Sequence, residues 1–358
     1  MGPVDMKRGG CMQRSGGWAR AFARMVTILA GSLSGAAVAD WDEGPCLTWP
    51  CGERQTYAVF DTLFLQRNNT SNNVPLVVDG DTLSTVLAAP TLQFATAPGV
   101  RAVVGDHGPQ GVGWELGYVG VYGMFALSEA AGNNNLEVPP TLSSQVASLR
   151  NAAASRVSYG STLNMAEANL LLTHHHVNRR RYSAYTWERI RRETTIDWIG
   201  GFRWAGLEEQ AAIDLAPAGG RYGVRTTSNL FGGQIGLRGR TEWQQWALEG
   251  WIKAAVAGSN LSQSQDRIVD AVSGETYRTA RSSQAGTAGG IFDVNATLVY
   301  RLTETWALRL GYNSYWLTGV ALAPDQFDFS TSKLAGTTLD ANKSLWLGGG
   351  SLGIEARW

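Results

Sequence analysis

The feature that most constrains this chain is an alternation of apolar and polar residues with a period of two. In WALRLGYNSYWLT, which begins at Trp306, alternate positions are apolar and run from Trp306 to Trp316, while the opposite face carries Arg309 and Asn313. The ten positions from Trp306 to Trp316 span about 33 Å along a strand, or about 25 Å of height at a tilt of about 40°. That height equals the apolar band of an outer-membrane barrel strand between its two aromatic girdles.

The same alternation recurs along the chain. A soluble sheet with one buried face would also alternate. However, charges lie opposite tryptophans throughout, and glycines interrupt many strands. Past residue 39, no apolar run approaches the 18 residues of a membrane-spanning helix. The pattern therefore predicts an all-β fold, a transmembrane antiparallel up-and-down β-barrel.

The lengths of the connections predict the topology. Short links lie at about residues 108–112, 243–245 and 303–305. Long links lie at about residues 68–99, 124–160, 208–225, 258–287 and 319–343. With a further inner link at 178–193, this is the outer-membrane pattern of short periplasmic turns and long extracellular loops.

Ten strands follow from these connections, with both ends of the barrel in the periplasm. Their predicted starts are near residues 57, 100, 113, 162, 194, 228, 246, 290, 306 and 344. A further hairpin inside a long loop would make twelve strands, and SQVASLRNAAAS in the second long loop is instead compatible with a short helix.

The first 39 residues have the pattern of an export signal peptide. Basic residues precede the apolar run Met25–Val38, and Ala37-Val38-Ala39 is a small-x-small cleavage site. A membrane anchor is the alternative, but 14 residues rich in Gly, Ser and Ala are too few to span a bilayer. We expect cleavage after Ala39, a periplasmic segment at 40–56 and a barrel at 57–358.

Two cysteines, Cys46 and Cys51, remain after cleavage. In an oxidising compartment they predict a small disulfide loop, with two free thiols as the alternative. Removing the leader's five basic residues and one acid from 30 of each leaves 25 basic against 29 acidic groups. An excess of acid argues against a nucleic-acid partner.

Four stretches carry a resemblance to a known family: Asp197–Glu209, Asn229–Arg240, Leu298–Gln326 and, more weakly, Gly99–Gly120. They resemble the planctomycete family of porin-like β-barrel outer-membrane proteins in order and spacing over nearly the whole mature chain. The resemblance implies an outer-membrane barrel, and it supplies no catalytic residues.

The inward faces of the predicted strands carry charges of both signs in nearly equal number. The predicted lumen-lining charges are Asp61, Arg101, Glu115, Glu167, Asp197, Arg203, Arg238, Arg240, Glu249, Lys253, Asp293, Arg301, Arg309, Glu355 and Arg357. Small barrels are just wide enough for side chains to fill, whereas porins with 16 to 18 strands hold an open channel. Ten strands with balanced charge therefore predict a lumen largely closed by ion pairs, with a narrow polar conduit as the alternative.

Tryptophans mark the predicted membrane boundaries. The predicted girdle comprises Trp114, Trp198, Trp204, Trp243, Trp246, Trp306, Trp316 and Trp358. Trp358, on the lipid face of the last strand, resembles the signal by which the barrel-assembly machinery recognises its substrates. The expected partners are therefore outer-membrane lipid, this machinery and small solutes.

Two residues suggest further chemistry. GGSLG places Ser351 in a nucleophile-elbow pattern, but that motif needs a following helix and only seven residues remain. Asp325, in ALAPDQFDF, is expected at the outer mouth, where a turn explains it and contact with a ligand is a second reading.

The run LTHHHVNRRRYS raises the question of a metal or lipid site. Alternation puts His174 and His176 on the lipid face and His175 in the lumen, which leaves two metal ligands at most, and no metal or cofactor is expected. The arginines of this link lie at the periplasmic end, where they can contact lipid headgroups or phosphate: Arg179, Arg180, Arg181, Arg189, Arg191 and Arg192.

Together these features predict a non-enzymatic outer-membrane protein. It would act as a porin-like or structural membrane component with a narrow, charge-lined lumen. The alternatives are a barrel enzyme that hydrolyses lipid or peptide, which would need a histidine and a carboxylate at the rim, and a surface adhesion protein.

Overall fold

The structure, a computed structural model, describes residues 55–108, 111–178, 192–332 and 334–358. It consists of a closed antiparallel barrel of ten strands. In chain order these are β1 (Gln55–Arg67), β2 (Ala97–His107), β3 (Val112–Glu137), β4 (Ala152–Asn178), β5 (Arg192–Ala216), β6 (Gly220–Trp243), β7 (Trp246–Gln265), β8 (Arg281–Arg301), β9 (Trp306–Val320) and β10 (Lys343–Arg357).

Each strand pairs with its neighbours in sequence, and β1 pairs with β10 to close the barrel. In the closing seam, Val59 lies opposite Glu355, and the backbones of Thr56 and Trp358 exchange two hydrogen bonds of 3.0 Å. The prediction of an up-and-down barrel with ten strands is therefore confirmed.

The hairpin weighed as a source of twelve strands is present, but it lies outside the barrel wall. Two short strands, Pro75–Asp79 and Thr85–Ala88, pair with each other and attach to the outer end of β3. Another small hairpin, Ile268–Val269 with Thr276–Arg278, lies between β7 and β8. The short helix considered in the second long loop is one α-helical turn at Pro140–Ser143 and a 3-10 turn at Ala147–Leu149.

Several strands are much longer than predicted. β4 has 27 residues and starts at Ala152 rather than near residue 162. At about 3.3 Å per residue and a tilt of about 40° it rises roughly 65 Å, more than twice the apolar band. The predicted loop at 208–225 is wrong: β5 and β6 are joined by a turn at 217–219, where Gly219 adopts a φ of +72° that favours glycine.

The outward face of the lower barrel is apolar, as a lipid-facing surface requires. Leu310, Ile235 and Val256 are among its exposed residues, at 62%, 74% and 82% of their surface. Of the predicted girdle, these tryptophans are exposed: Trp114, Trp198, Trp246, Trp306, Trp316 and Trp358. Trp204 and Trp243 are half-buried.

The upper barrel is filled by apolar side chains and covered by loops. Inward residues such as Leu63, Leu163 and Leu230 join loop residues such as Leu92 and Leu322 in one buried cluster. Further 3-10 turns at Ala89–Thr91 and Ala323–Gln326 belong to these covering loops. None of the helices among the described residues is long and apolar enough to cross a membrane.

Placing an arginine on the lipid face tests the orientation of the wall. We expect Leu310→Arg to lower the free energy of unfolding in lipid vesicles by about 2–4 kcal/mol, because the guanidinium must enter the apolar band. The measurement is urea unfolding followed by the heat-modifiable band in SDS gels. Ser282→Arg, on the exposed outer part of β8, is the matched control and should change nothing. Equal stability of both variants would contradict this orientation.

Candidate functional site

The candidate site is the interior of the barrel, where most charged residues of the strands converge. Of the predicted lumen-lining charges, the structure buries Asp61, Arg101, Glu115, Asp197, Arg203, Arg238, Arg240, Glu249, Lys253, Asp293, Arg309 and Glu355. The side chains of Glu167 and Arg357 also point inward and are 11% and 21% exposed. Arg301 was misplaced: it lies exposed at the periplasmic rim, because β8 ends there, and pairs with Glu242 at 2.7 Å.

The cluster nearest the periplasm joins two arginines to two glutamates from different strands. Arg309 Nη2 lies 2.8 Å from Glu249 Oε1, and Arg309 also pairs with Glu355. Arg240 Nη1 lies 3.0 Å from both Glu249 and Glu355. Arg357 pairs with Glu355 at the lower edge. These contacts connect β6, β7, β9 and β10, so the cluster spans the lower lumen.

A second cluster surrounds Arg238 on β6. Its guanidinium lies 2.5 Å from Glu115 and 2.7 Å from Asp197. The Tyr57 hydroxyl donates to Glu115 (2.7 Å), and His107, stacked on the Tyr57 ring, has its Nε2 3.4 Å from Asp197 Oδ2. Arg238 also donates to the Tyr57 hydroxyl (3.2 Å), and its Nη2 lies 3.3 Å from His107 Nε2. These four partners come from β1, β2, β3 and β5, so this cluster also crosses the lumen.

The middle of the barrel holds a third set of pairs. Lys253 Nζ lies 2.6 Å from Glu167 and 3.3 Å from Glu115, and Arg203 Nη2 lies 3.0 Å from Asp293. The indole of Trp251 donates to the same Asp293 (3.0 Å).

Arg101 completes this level. Its Nε donates to Asp61 (2.8 Å), its Nη1 donates to Asn313 (2.6 Å), and its guanidinium stacks over the ring of Trp251 at 4.7 Å. Aromatic stacking and ion pairing therefore fix the same cation.

Above these levels, one last pair forms the boundary with the apolar cluster. Arg67 Nη1 lies 2.6 Å from Glu209, and both side chains are fully buried. Tyr159 accepts from Arg67 (2.7 Å) and donates to Glu209 (2.8 Å), while the ring of Phe94 lies 4.6 Å from the guanidinium.

The pairing explains how a narrow interior can hold so many ions. An ion moved into a low-dielectric interior without a partner costs several kcal/mol, and good geometry with hydrogen bonds offsets that cost. A water-filled channel would expose the side chains that line it. The arginines that reach across the lumen are instead at most 8% exposed, namely Arg67, Arg101, Arg203, Arg238, Arg240 and Arg309. These arginines therefore lack the solvent exposure expected of side chains that line a wide channel.

The described residues 321–332 and 334–342, between β9 and β10, fold down into the outer mouth, and we call them the plug. Interior side chains of the wall bind its backbone. Glu209 accepts from the Ala323 N–H (2.9 Å), Ser228 accepts from Ala321 N–H (3.1 Å), and Gln265 donates to the Gln326 carbonyl (2.7 Å). Phe327 packs edge-on against Tyr222.

Asp325 is part of the plug and lies in a turn as predicted, whereas the second reading, an exposed ligand contact, is wrong. Its side chain is 0% exposed, because the 3-10 turn at Ala323–Gln326 directs it between loops. The Asn72 N–H donates to Asp325 Oδ1 (2.7 Å), and Lys343 Nζ lies 3.9 Å from Oδ2. Burial raises the pKa of Asp325 to about 6, although this N–H and Lys343 act in the opposite direction.

Ser351 lies inside β10, in continuous strand, so the elbow geometry of its motif is absent. It is 4% exposed and accepts a hydrogen bond from Asn313 Nδ2 (2.9 Å). An asparagine amide cannot act as the general base that a serine nucleophile needs.

Several residues of the site were not predicted from the sequence. Trp251, Arg67 and His107 share the inward parity of Lys253, Asp61 and Arg101, so alternation contained the signal. Glu209 was missed because it lies beyond the predicted end of its strand.

Other predicted features lie outside the described residues. These are the leader, Cys46, Cys51, the arginines 179–181, 189 and 191, and the side chains of His175, His176 and Arg192. His174 is exposed on β4. Among the described residues, no group of three or more His, Cys, Asp or Glu side chains is arranged to hold a metal ion.

Comparison with known proteins agrees with the barrel fold. The family described as Putative beta barrel porin-7 (BBP7) matches residues 141–358, more than half of the chain. The chain belongs to the BBP7 family. It is a porin-like outer-membrane β-barrel protein. No curated protein sequence matches it.

Solved structures with a similar fold include outer-membrane proteins of diverse titles. The outer membrane protease OmpT from Escherichia coli is 10% identical, with 85% of this chain and 97% of that chain covered and a TM-score of 0.49. A major outer membrane protein from Thermus thermophilus is 11% identical, with 85% and 99% covered and a TM-score of 0.31. A Pseudomonas aeruginosa FadL homologue is 7% identical, with 85% and 90% covered and a TM-score of 0.24. None of these likenesses bears on activity.

Removing a central cation tests the ion pairing. We expect Arg309→Met to lower the free energy of unfolding by about 3–5 kcal/mol, because Glu249 and Glu355 would lose a partner while remaining buried. Chemical denaturation in lipid measures this loss. Arg301→Met, at the exposed rim, is the control and should cost about 1 kcal/mol or less. Similar losses in both variants would show that burial of the pair is unimportant.

The raised pKa of Asp325 predicts a pH dependence of the plug. Its contribution to stability is fully present below the unfolded value of 3.8 and is lost as pH rises through about 6. Asp325→Asn should therefore raise the thermal midpoint at pH 7.5, by a free energy on the order of 2 kcal/mol, and leave it unchanged near pH 3.5. Asp340→Asn, at a more exposed partner of Lys343, is the control. A thermal midpoint of Asp325→Asn below that of the parent at pH 7.5 would contradict this prediction.

Proposed function

We propose that the protein is a closed barrel that acts as a structural component of the outer membrane and has no enzymatic activity. The carrying observation is that ion-pair clusters at successive heights cross the lumen beneath the plug. Two barriers, one ionic and one formed by the plug, support a permanent seal rather than a diffusion pore.

A barrel enzyme receives less support. Ser351, the candidate nucleophile, has Asn313 as its hydrogen-bond partner and is nearly inaccessible. Asp325, the candidate ligand contact at the mouth, is covered by loops. Outer-membrane location agrees with membership of the BBP7 family, and we propose that the chain reaches this membrane through a leader cleaved after Ala39.

A narrow water path is the second candidate. It is favoured by buried polar atoms that have no hydrogen-bond partner among the described residues, including Arg203 Nε, Arg309 Nε and Tyr315 Oη. Water molecules bound to these groups would satisfy them, and small ions could pass only if such waters formed a continuous file through the lumen.

Planar-bilayer conductance separates the two candidates. We expect no channel steps from the full chain, and none after residues 322–341 are replaced by a short Gly-Ser link, because the ion-pair clusters remain. Adding Arg309→Ser and Arg240→Ser to that deletion should also leave the bilayer silent, because the Arg238 cluster and the pairs above it still cross the lumen.

Replacement of the hairpin at 268–278 is the matched loop control and should leave the bilayer silent. Steps from the full chain would favour the water path. Steps from the plug deletion alone would show that the plug is the only barrier.

A further inference from the structure

Four charged residues form a row on the outer surface of the barrel. Glu129 on β3 lies opposite Arg156 on β4, Arg156 opposite Asp214 on β5, and Asp214 opposite Arg221 on β6. We call these four residues the charge row. Their signs alternate across the four neighbouring strands.

The charge row faces solvent. The side chains of Glu129 and Arg156 are 63% and 58% exposed, and those of Asp214 and Arg221 are 39% and 55% exposed. Within the chain, Arg156 lies 3.7 Å from Glu129, and Arg221 lies 3.1 Å from Asp214. Because all four side chains stay partly exposed, each pair is accessible to a partner from solvent.

On β5 the row lies well above the apolar band, whereas on β3 the exposed apolar residues Phe125 and Leu127 come close to Glu129. Asp214 follows Trp204 by ten positions on β5, which adds about 25 Å of height above that tryptophan. With Trp204 as the outer boundary of the apolar band, Asp214 lies above the lipid headgroups. A partner at this height must be another macromolecule that extends equally far from the membrane.

The order of the signs is self-complementary. Copies of a membrane protein share one orientation, so a two-fold axis relating two of them runs along the membrane normal. Such an axis between β4 and β5 reverses the order of strands on the facing surface. Arg156 then faces Asp214 of the second copy, and Asp214 faces Arg156 of the second copy. The outer members are also of opposite sign, because Glu129 of each copy lies on the side of Arg221 of the other copy.

The surroundings of the central pair allow close approach. Glu129, Arg156 and Asp214 border a shallow depression of about 560 Å³ whose other lining residues are small or apolar. Outward neighbours such as Ala154 and Ala216 have short side chains, so the charged groups project furthest from the wall.

We propose that this surface is the contact between two copies of the chain, which associate side by side through reciprocal Arg156–Asp214 pairs. A partner of uniform charge, such as a nucleic acid, would be repelled by half of the row. A second copy satisfies every position with the same residues. The inference is independent of whether the lumen conducts.

Charge reversal with complementation tests this contact. Arg156→Asp places a carboxylate against Asp214 of the second copy, and Asp214→Arg places two arginines against each other, so each variant alone should associate at least about tenfold more weakly. When the two variants are mixed, both reciprocal contacts are again of opposite sign, and they should form a mixed dimer. Sedimentation velocity in density-matched detergent, with one variant fluorescently labelled, measures both results.

The controls separate association from folding. Arg225→Asp, at an exposed outward residue of β6 outside the charge row, should dimerise like the parent. Heat-modifiable mobility verifies that every variant is folded. The proposal is overturned if the parent is monomeric at all concentrations, if Arg156→Asp dimerises as strongly as the parent, or if the mixed variants do not associate.

Discussion

The fold depends on neutralising the charged side chains inside a narrow lumen. Backbone hydrogen bonds close the barrel on itself and satisfy the membrane's demand that no peptide group be left unpaired. The charged side chains of the interior need binding partners of their own. Here the cations of β6, β7 and β9 bind carboxylates from strands across the lumen. The register of each strand is thereby tied to the others, because a shift of one residue would move a charge from its partner to the lipid face.

The two halves of the interior are filled by different chemistry. Ion pairs occupy the lower half, whereas apolar side chains and the plug occupy the upper half. The Arg67–Glu209 pair lies at the junction, and Glu209 also binds the plug backbone. An apolar filling alone would not hold loop backbone in place, because the peptide groups of the plug need polar partners. Glu209, Ser228 and Gln265 supply them.

Alternation was sufficient to predict the membrane-embedded barrel, because lipid on one side and a filled lumen on the other enforce a strict period of two. It failed above the membrane. Outward positions there are polar, as in Ser262, Ser264, Ser282 and Gln284, so both faces of β7 and β8 look loop-like and the strands were predicted too short. The same boundary error concealed Glu209. The burial of Asp325 was also unpredictable, since it depends on Asn72, which is distant in sequence. By contrast, Trp251 was available from parity alone.

The seam between β1 and β10 has a consequence for how the barrel folds. Thr56 and Trp358 are bonded neighbours although nearly the whole barrel sequence separates them. A contact of such long sequence separation carries a large loop-closure entropy and makes folding intrinsically slow. Until it forms, the incomplete sheet has two unpaired edges, which cannot rest in hydrocarbon and which attract other strands in water. The incomplete sheet therefore needs a temporary binding partner for its edge strands. Pairing of β1 with β10 then converts an aggregation-prone sheet into a closed barrel without an unpaired edge.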